Sequence, residues 1–171
     1  MPLEVAVFSG ESALKAQSQG ASRVELNAPG SYHVGGTTPP IAELKRIAAK
    51  VTIPVRIMIR PRGAPGDGSP DFVYTPKEVA AMAQSIRDFK ATGLLNPFRG
   101  DGFAGRIQFV LGGGLRASNV ERVAGRFSTY EKGSVWMHTA ALSSRPDHPA
   151  EEIDSNELVG MLASLGSVPV R

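Results

Sequence analysis

Four side chains with acid–base or ion-pairing chemistry fall inside short apolar stretches that read as strands. Glu25 lies in Arg23-Val24-Glu25-Leu26-Asn27. Arg56 and Arg60 lie in Val55-Arg56-Ile57-Met58-Ile59-Arg60-Pro61-Arg62-Gly63, and His138 in Trp136-Met137-His138-Thr139. Burying such groups in a sheet is costly unless they pair or face a solvated site, so their placement predicts a polar pocket. His138 is the candidate general acid or base because its ordinary pKa lies near neutrality, and Glu25 is the candidate carboxylate beside it. Glu4 and Arg56 also suit an inward polar face. Alternation along a strand puts Arg23 and Asn27 on the same side as Glu25, and Met137 on the side opposite His138.

A second set of residues suits an anion. Arg60 and Arg62 flank Pro61, which stiffens the strand end, and guanidinium groups make paired contacts with carboxylate or phosphate. Gly112, Gly113 and Gly114 follow an apolar stretch and precede a helical one, where backbone N–H groups can approach a negative charge. The plain alternatives stay open: a structural salt bridge, such as Arg60 with Glu25, and a tight turn that needs positive φ.

These residues need elements to hold them, and the chain alternates strand and helix. Strands are predicted at Leu3–Phe8, Arg23–Asn27, Ile53–Arg60, Arg106–Leu111 and Ser134–Thr139. Helices are predicted from Ser9 or Gly10 to Gly20, from a Thr38 cap with Pro39 and Pro40 in the first turn, and from the Thr75-Pro76-Lys77-Glu78 capping box to Ala91. Two more are predicted near Ala117–Ala124 and Asn156–Leu165. Met82, Phe89 and Met161 have the helical spacing of core residues. Asn96–Gly105 is polar, Gly-rich and without periodicity. Five βα units in this order predict a single α/β domain with about five parallel strands and flanking helices. A closed eight-stranded barrel takes ~250 residues; three more units of ~30 would bring this chain to ~260, so the expected architecture is an incomplete TIM-barrel-like fold.

With 171 residues, scattered charges of both signs and a net charge of +3, the chain shows no basic stripe of the kind that binds nucleic acid. The absence of cysteine excludes disulfides, a thiol nucleophile and thiolate metal sites. No apolar run approaches the ~20 residues of a membrane span, and Met1-Pro2-Leu3-Glu4 does not begin a secretory signal, so an intracellular, cytoplasmic protein is expected.

The Val-Glu-Leu stretch, the Val34-Gly35-Gly36-Thr37-Thr38-Pro39 turn and the Arg60-Pro61-Arg62-Gly63 strand end resemble the CutC copper-homeostasis family, whose members are (β/α)8 barrels. Residues 1–103 resemble its N-terminal half and 106–171 its C-terminal part, with the middle strands missing and the join between about Phe103 and Arg106. The resemblance implies copper as ligand, and Glu25, Gly35, Gly36, Arg60, Arg62 and His138 are its polar landmarks. Where many members carry Cys after Val-Glu-Leu, this chain has Asn27. Imidazole and oxygen donors suit Cu(II), and thioether suits Cu(I). On that implication His138, Met58 and His33 are the candidate copper ligands. The alternatives are an enzyme acting on a small anionic substrate, phosphorylated or carboxylate, and an inactive shortened isoform. Open strand edges also lead to the expectation of partial closure, of a homodimer that covers the edges, or of instability.

Overall fold

The computed structural model describes residues 1–94, 109–131 and 133–166. Five strands alternate with helices: β1 (Leu3–Val7), α1 (Gly10–Ser18), β2 (Arg23–Leu26), a 3-10 turn (Tyr32–Val34), α2 (Ile41–Ile47), β3 (Val55–Ile57), α3 (Pro76–Ala91), β4 (Phe109–Leu111), α4 (Val120–Gly125), β5 (Val135–Thr139) and α5 (Ser155–Gly166). All strand pairings are parallel, in the order β3-β2-β1-β5-β4. The first and last strands are therefore neighbours, as they are where a (β/α) barrel closes. The sheet instead stays open at β3 and β4. This is an incomplete TIM-barrel-like α/β fold.

Alternation decides what each face carries. Leu3, Val5 and Val7 of β1, Val24 and Leu26 of β2, and Val135 and Met137 of β5 are buried in the main apolar core, with Ala13 and Ala16 of α1 and Leu158, Met161 and Leu165 of α5. The residues between them, Glu4 and Ala6, Arg23 and Glu25, and Trp136 and His138, form the opposite, polar face. Met161 and Phe89 are buried as expected, and Met82 is half-buried.

Several element ends differ from the sequence reading. Thr38 does not cap α2, whose N-cap is Pro40. Its hydroxyl instead accepts from Arg60 N and donates to Arg60 O, so the loop before α2 is tied to the end of the third strand segment. Regular β3 pairing covers three residues, between Pro54, which lacks an N–H, and the segment engaged by Thr38. In α3 the capping box forms as predicted: Glu78 N reaches the Thr75 hydroxyl, and Thr75 N reaches the Glu78 carboxylate. Of the fourth predicted strand, residues 109–111 are observed. Its first three residues, the Asn96–Gly105 stretch and the expected join lie outside the described residues.

The open edges leave apolar surface uncovered. Phe109 of β4 is 55% exposed, and Val79 and Ile86 of α3 are exposed on a helix that fully buries only Phe89. In a closed barrel each helix packs across two strands; among the described residues β3, which precedes α3 in the chain, is an edge strand of the sheet. Among the described residues no helix is long and apolar enough to cross a membrane.

This distribution predicts uneven mutational costs. Leu158→Ala, in the closed part of the core, should lower the unfolding free energy by about 2–5 kcal/mol. Val79→Ala, on the uncovered face of α3, should change it by less than about 0.5 kcal/mol. Urea denaturation of both variants checks the contrast.

Candidate functional site

Glu4 is the centre of the polar face. The β1 register sets it opposite Arg23 on one side and His138 on the other. One carboxylate oxygen, Oε2, pairs with Nε of Arg23 and lies 3.7 Å from Nε of Arg56; the other, Oε1, lies 2.9 Å from Nδ1 of His138. Glu4 is 2% exposed and Arg23 is fully buried. A buried ion pair survives only if its charges are well compensated. Here the guanidinium of Arg23 also stacks on the Trp136 ring, 3.6 Å from its centroid.

His138 is thereby held at one nitrogen and presents the other. Its Nε2 lies 3.9 Å from Oε2 of Glu25. Asn27, two residues along the same strand face, donates to that Glu25 oxygen at 3.3 Å and to the Glu25 carbonyl at 3.1 Å. Ligand atoms of Glu4, Glu25 and His138 lie within 4.8 Å of one another.

The surroundings set the protonation of the pair. Burial alone would push the Glu4 carboxyl up, but hydrogen bonds from His138 and Arg23, with their charges, outweigh it and hold the pKa below its ordinary 4.5. For His138, burial would lower the pKa. The hydrogen bond to Glu4 and the negative charges of Glu25 and Glu4 overcome this and the opposing charge of Arg23, raising it above 6.5.

Above this cluster, at the C-terminal ends of the strands, opens a cavity of about 350 Å3. Glu25, Asn27, His138, Tyr32, Gly114 and Arg116 are among the residues that line it. Strand ends are where parallel α/β folds gather ligands.

The structure brings Glu25 and His138 together, as their strand positions suggested. It places the other candidates differently. Arg60 is buried, pairs with Asp71 at 2.7 Å rather than with Glu25, and donates to the carbonyls of Val34 and Gly36. It acts as a clamp on the turn that precedes α2. The two glycines of that turn are required by this packing: a Cβ on Gly35 would lie 3.0 Å from the Arg60 guanidinium, and one on Gly36 would overlap Asn27 Oδ1. Arg62 pairs with Glu78 at 2.6 Å and donates to the Val73 carbonyl. Neither arginine lines the cavity. Gly113 and Gly114 do, while Gly112 sits against the imidazole, where a Cβ would lie 3.3 Å from His138 Cδ2. The glycines do not abut a helix, since α4 starts at Val120 after an intervening turn. His33 lies exposed in the 3-10 turn, and Met58 follows β3 on the parity of Arg56; neither lines the cavity.

The sequence model of the CutC family matches residues 1–100. The chain belongs to the CutC family. The matched stretch contains Glu4, Arg23, Glu25 and Arg56, so most of this CutC-family charge cluster lies within it, and His138 joins it from the last strand.

Sequence reasoning named Glu4 as an inward polar residue but missed that it organises the site. The available signal was a carboxylate in the strand Leu3–Val7 that is otherwise wholly apolar. The loop that carries Arg116 was singled out for its glycines, but Arg116 itself was not named, because a loop residue carries no periodic pattern.

The pair predicts a two-sided pH dependence. Glu4 has a lowered pKa, so its contribution to stability is present above pH 4.5 and is lost as pH falls through its folded-state value. His138 has a raised pKa, so its contribution is full below pH 6.5 and is lost as pH rises through its folded-state value. Their joint contribution is greatest between these limits. Thermal melts across this range should show the alkaline decline in the parent chain and a weaker decline in His138→Gln. Glu4→Gln, which strands Arg23 in the interior, should cost about 3–5 kcal/mol.

Proposed function

We propose that this CutC-family chain is an intracellular copper-homeostasis protein that takes Cu(II) as cargo at Glu25 and Nε2 of His138. The observation that supports this reading most directly is the approach of those two donors to 3.9 Å at the wall of a solvent-reached cavity. The donor chemistry fits: imidazole and carboxylate suit Cu(II), and without cysteine there is no thiolate for Cu(I). Glu4 serves as the outer support. Already paired with Arg23, it orients the imidazole through Nδ1, as carboxylates behind metal-binding histidines commonly do. Two donors from the chain leave the remaining positions to water or to a small ligand, which suits a protein that must release its metal.

A second reading, an enzyme acting on a small anionic molecule, is favoured by the same Glu4–His138 contact. A carboxylate at Nδ1 leaves Nε2 facing the cavity as a proton donor or acceptor, with Glu25 as its carboxylate neighbour.

Calorimetric titration with Cu(II) distinguishes the readings. His138→Gln should abolish stoichiometric Cu(II) binding, and Glu25→Gln should weaken it on the order of 10-fold or more. Lys15→Gln, on the opposite face of the sheet, should leave it unchanged. Equal Cu(II) binding by the parent chain and His138→Gln would remove the copper reading and leave the acid–base one.

A further inference from the structure

The residue that none of the preceding chemistry uses is Arg116. It lines the same cavity as His138 and is half-buried, yet among the described residues it has no carboxylate partner. The arginines on the other walls of the sheet are engaged by acids: Arg23 by Glu4, Arg60 by Asp71 and Arg62 by Glu78. Arg116 is nevertheless held in place. Its backbone N–H donates to Asn119 Oδ1 at 2.9 Å, and one guanidinium nitrogen donates to the Leu142 carbonyl. The loop that supplies that carbonyl is itself constrained. Ala141 adopts φ 48, an uncommon conformation for a residue with a Cβ, and its carbonyl accepts from Asp154 N at 2.8 Å. The next residue, Ala117, is fixed to α5 through a 2.7 Å hydrogen bond from its N–H to Glu157.

Two backbone donors lie beside it. Gly113 and Gly114 have φ of 98 and 66, which is what makes glycine necessary there, since a Cβ on either would meet nothing within 4 Å. Their N–H groups make no hydrogen bond among the described residues, and both residues line the cavity. A positioned guanidinium without a counter-charge and free backbone N–H groups on one cavity wall are the components of an anion site.

We propose that Arg116, Gly113 and Gly114 form a subsite for the carboxylate or phosphate group of a small molecule, whose other end faces Glu25 and His138. Glu25 repels a second negative charge, so the far end of that molecule is a neutral or cationic polar group such as a hydroxyl, carbonyl or amine. This subsite keeps Gly113 and Gly114 of the anion site anticipated from the sequence, and Arg116 takes the place of Arg60 and Arg62, whose guanidinium groups are engaged by Asp71 and Glu78. It goes beyond the copper reading and does not depend on it, because none of its three residues belongs to the copper donor set.

Amide NMR of the metal-free chain, titrated with inorganic phosphate and separately with malonate, tests it. Saturable shifts of the Gly113, Gly114 and Arg116 amides are expected with at least one probe; phosphate alone would indicate a tetrahedral group, and malonate alone a carboxylate. Arg116→Gln should weaken the response on the order of 10-fold or more. The control Arg145→Gln, an exposed arginine near Asp154, should respond like the parent chain. Shifts located elsewhere, no saturable shift with either probe, or an unchanged response in a folded Arg116→Gln would overturn the proposal. Because copper is absent throughout, that failure would leave the Cu(II) titration untouched.

Discussion

The inner face of this sheet depends on one buried carboxylate. Glu4 sits on the central strand, and the parallel register gives it a partner from each neighbour, the Arg23 guanidinium from β2 and the His138 imidazole from β5. Removing two charges from water costs several kcal/mol per ion before compensation, so such a pair persists only where geometry supplies nearly every contact. Trp136 beneath the Arg23 guanidinium, and Arg56 near the same Glu4 oxygen, add to that compensation. The arrangement has a chemical consequence. Because Glu4 takes Nδ1, the only free nitrogen of His138 is the one that faces Glu25 and the cavity.

The architecture protects this centre while leaving its periphery open. β1 and β5 meet within the sheet, and α1 and α5 contribute buried residues to the apolar core on its other face. The polar cluster therefore lies at the seam of the first and last strands, and Arg56 reaches it from the edge strand β3. The edge strand β4 carries the uncovered Phe109 and helix α3 the uncovered Val79 and Ile86, and unpaired strand edges favour association. The shortened sheet keeps a chemically complete pocket wall along β2, β1 and β5 and loses the wall that would face it. An open cavity suits a ligand that is exchanged rather than enclosed.

Much of this was legible in the sequence, and the reasons differ between elements. The five βα units follow from apolar stretches separated by capping signals, and the Thr75–Glu78 box formed as written because it requires only residues three apart. The inward set Arg23, Glu25 and Asn27 follows from alternation alone. Pair identities did not follow, since partners are chosen by register between strands distant in sequence. Arg60 thus found Asp71 rather than Glu25, and Thr38 bonded the Arg60 backbone rather than capping α2. Arg116 and Ala141 lie in loops at strand ends, where ligands gather, but no period marks a functional side chain there, and the folded cavity shows which residues line it.

The central claim is that Glu4 fixes the tautomer and charge of His138. Long-range 1H–15N NMR of the metal-free chain, followed through a pH titration, reads both at once. The account predicts that the His138 ring titrates above 6.5 and that its neutral form carries the proton on Nδ1, donated to Glu4, with Nε2 bare toward Glu25. A ring that titrates below 6.5, or a neutral form protonated at Nε2, would contradict it.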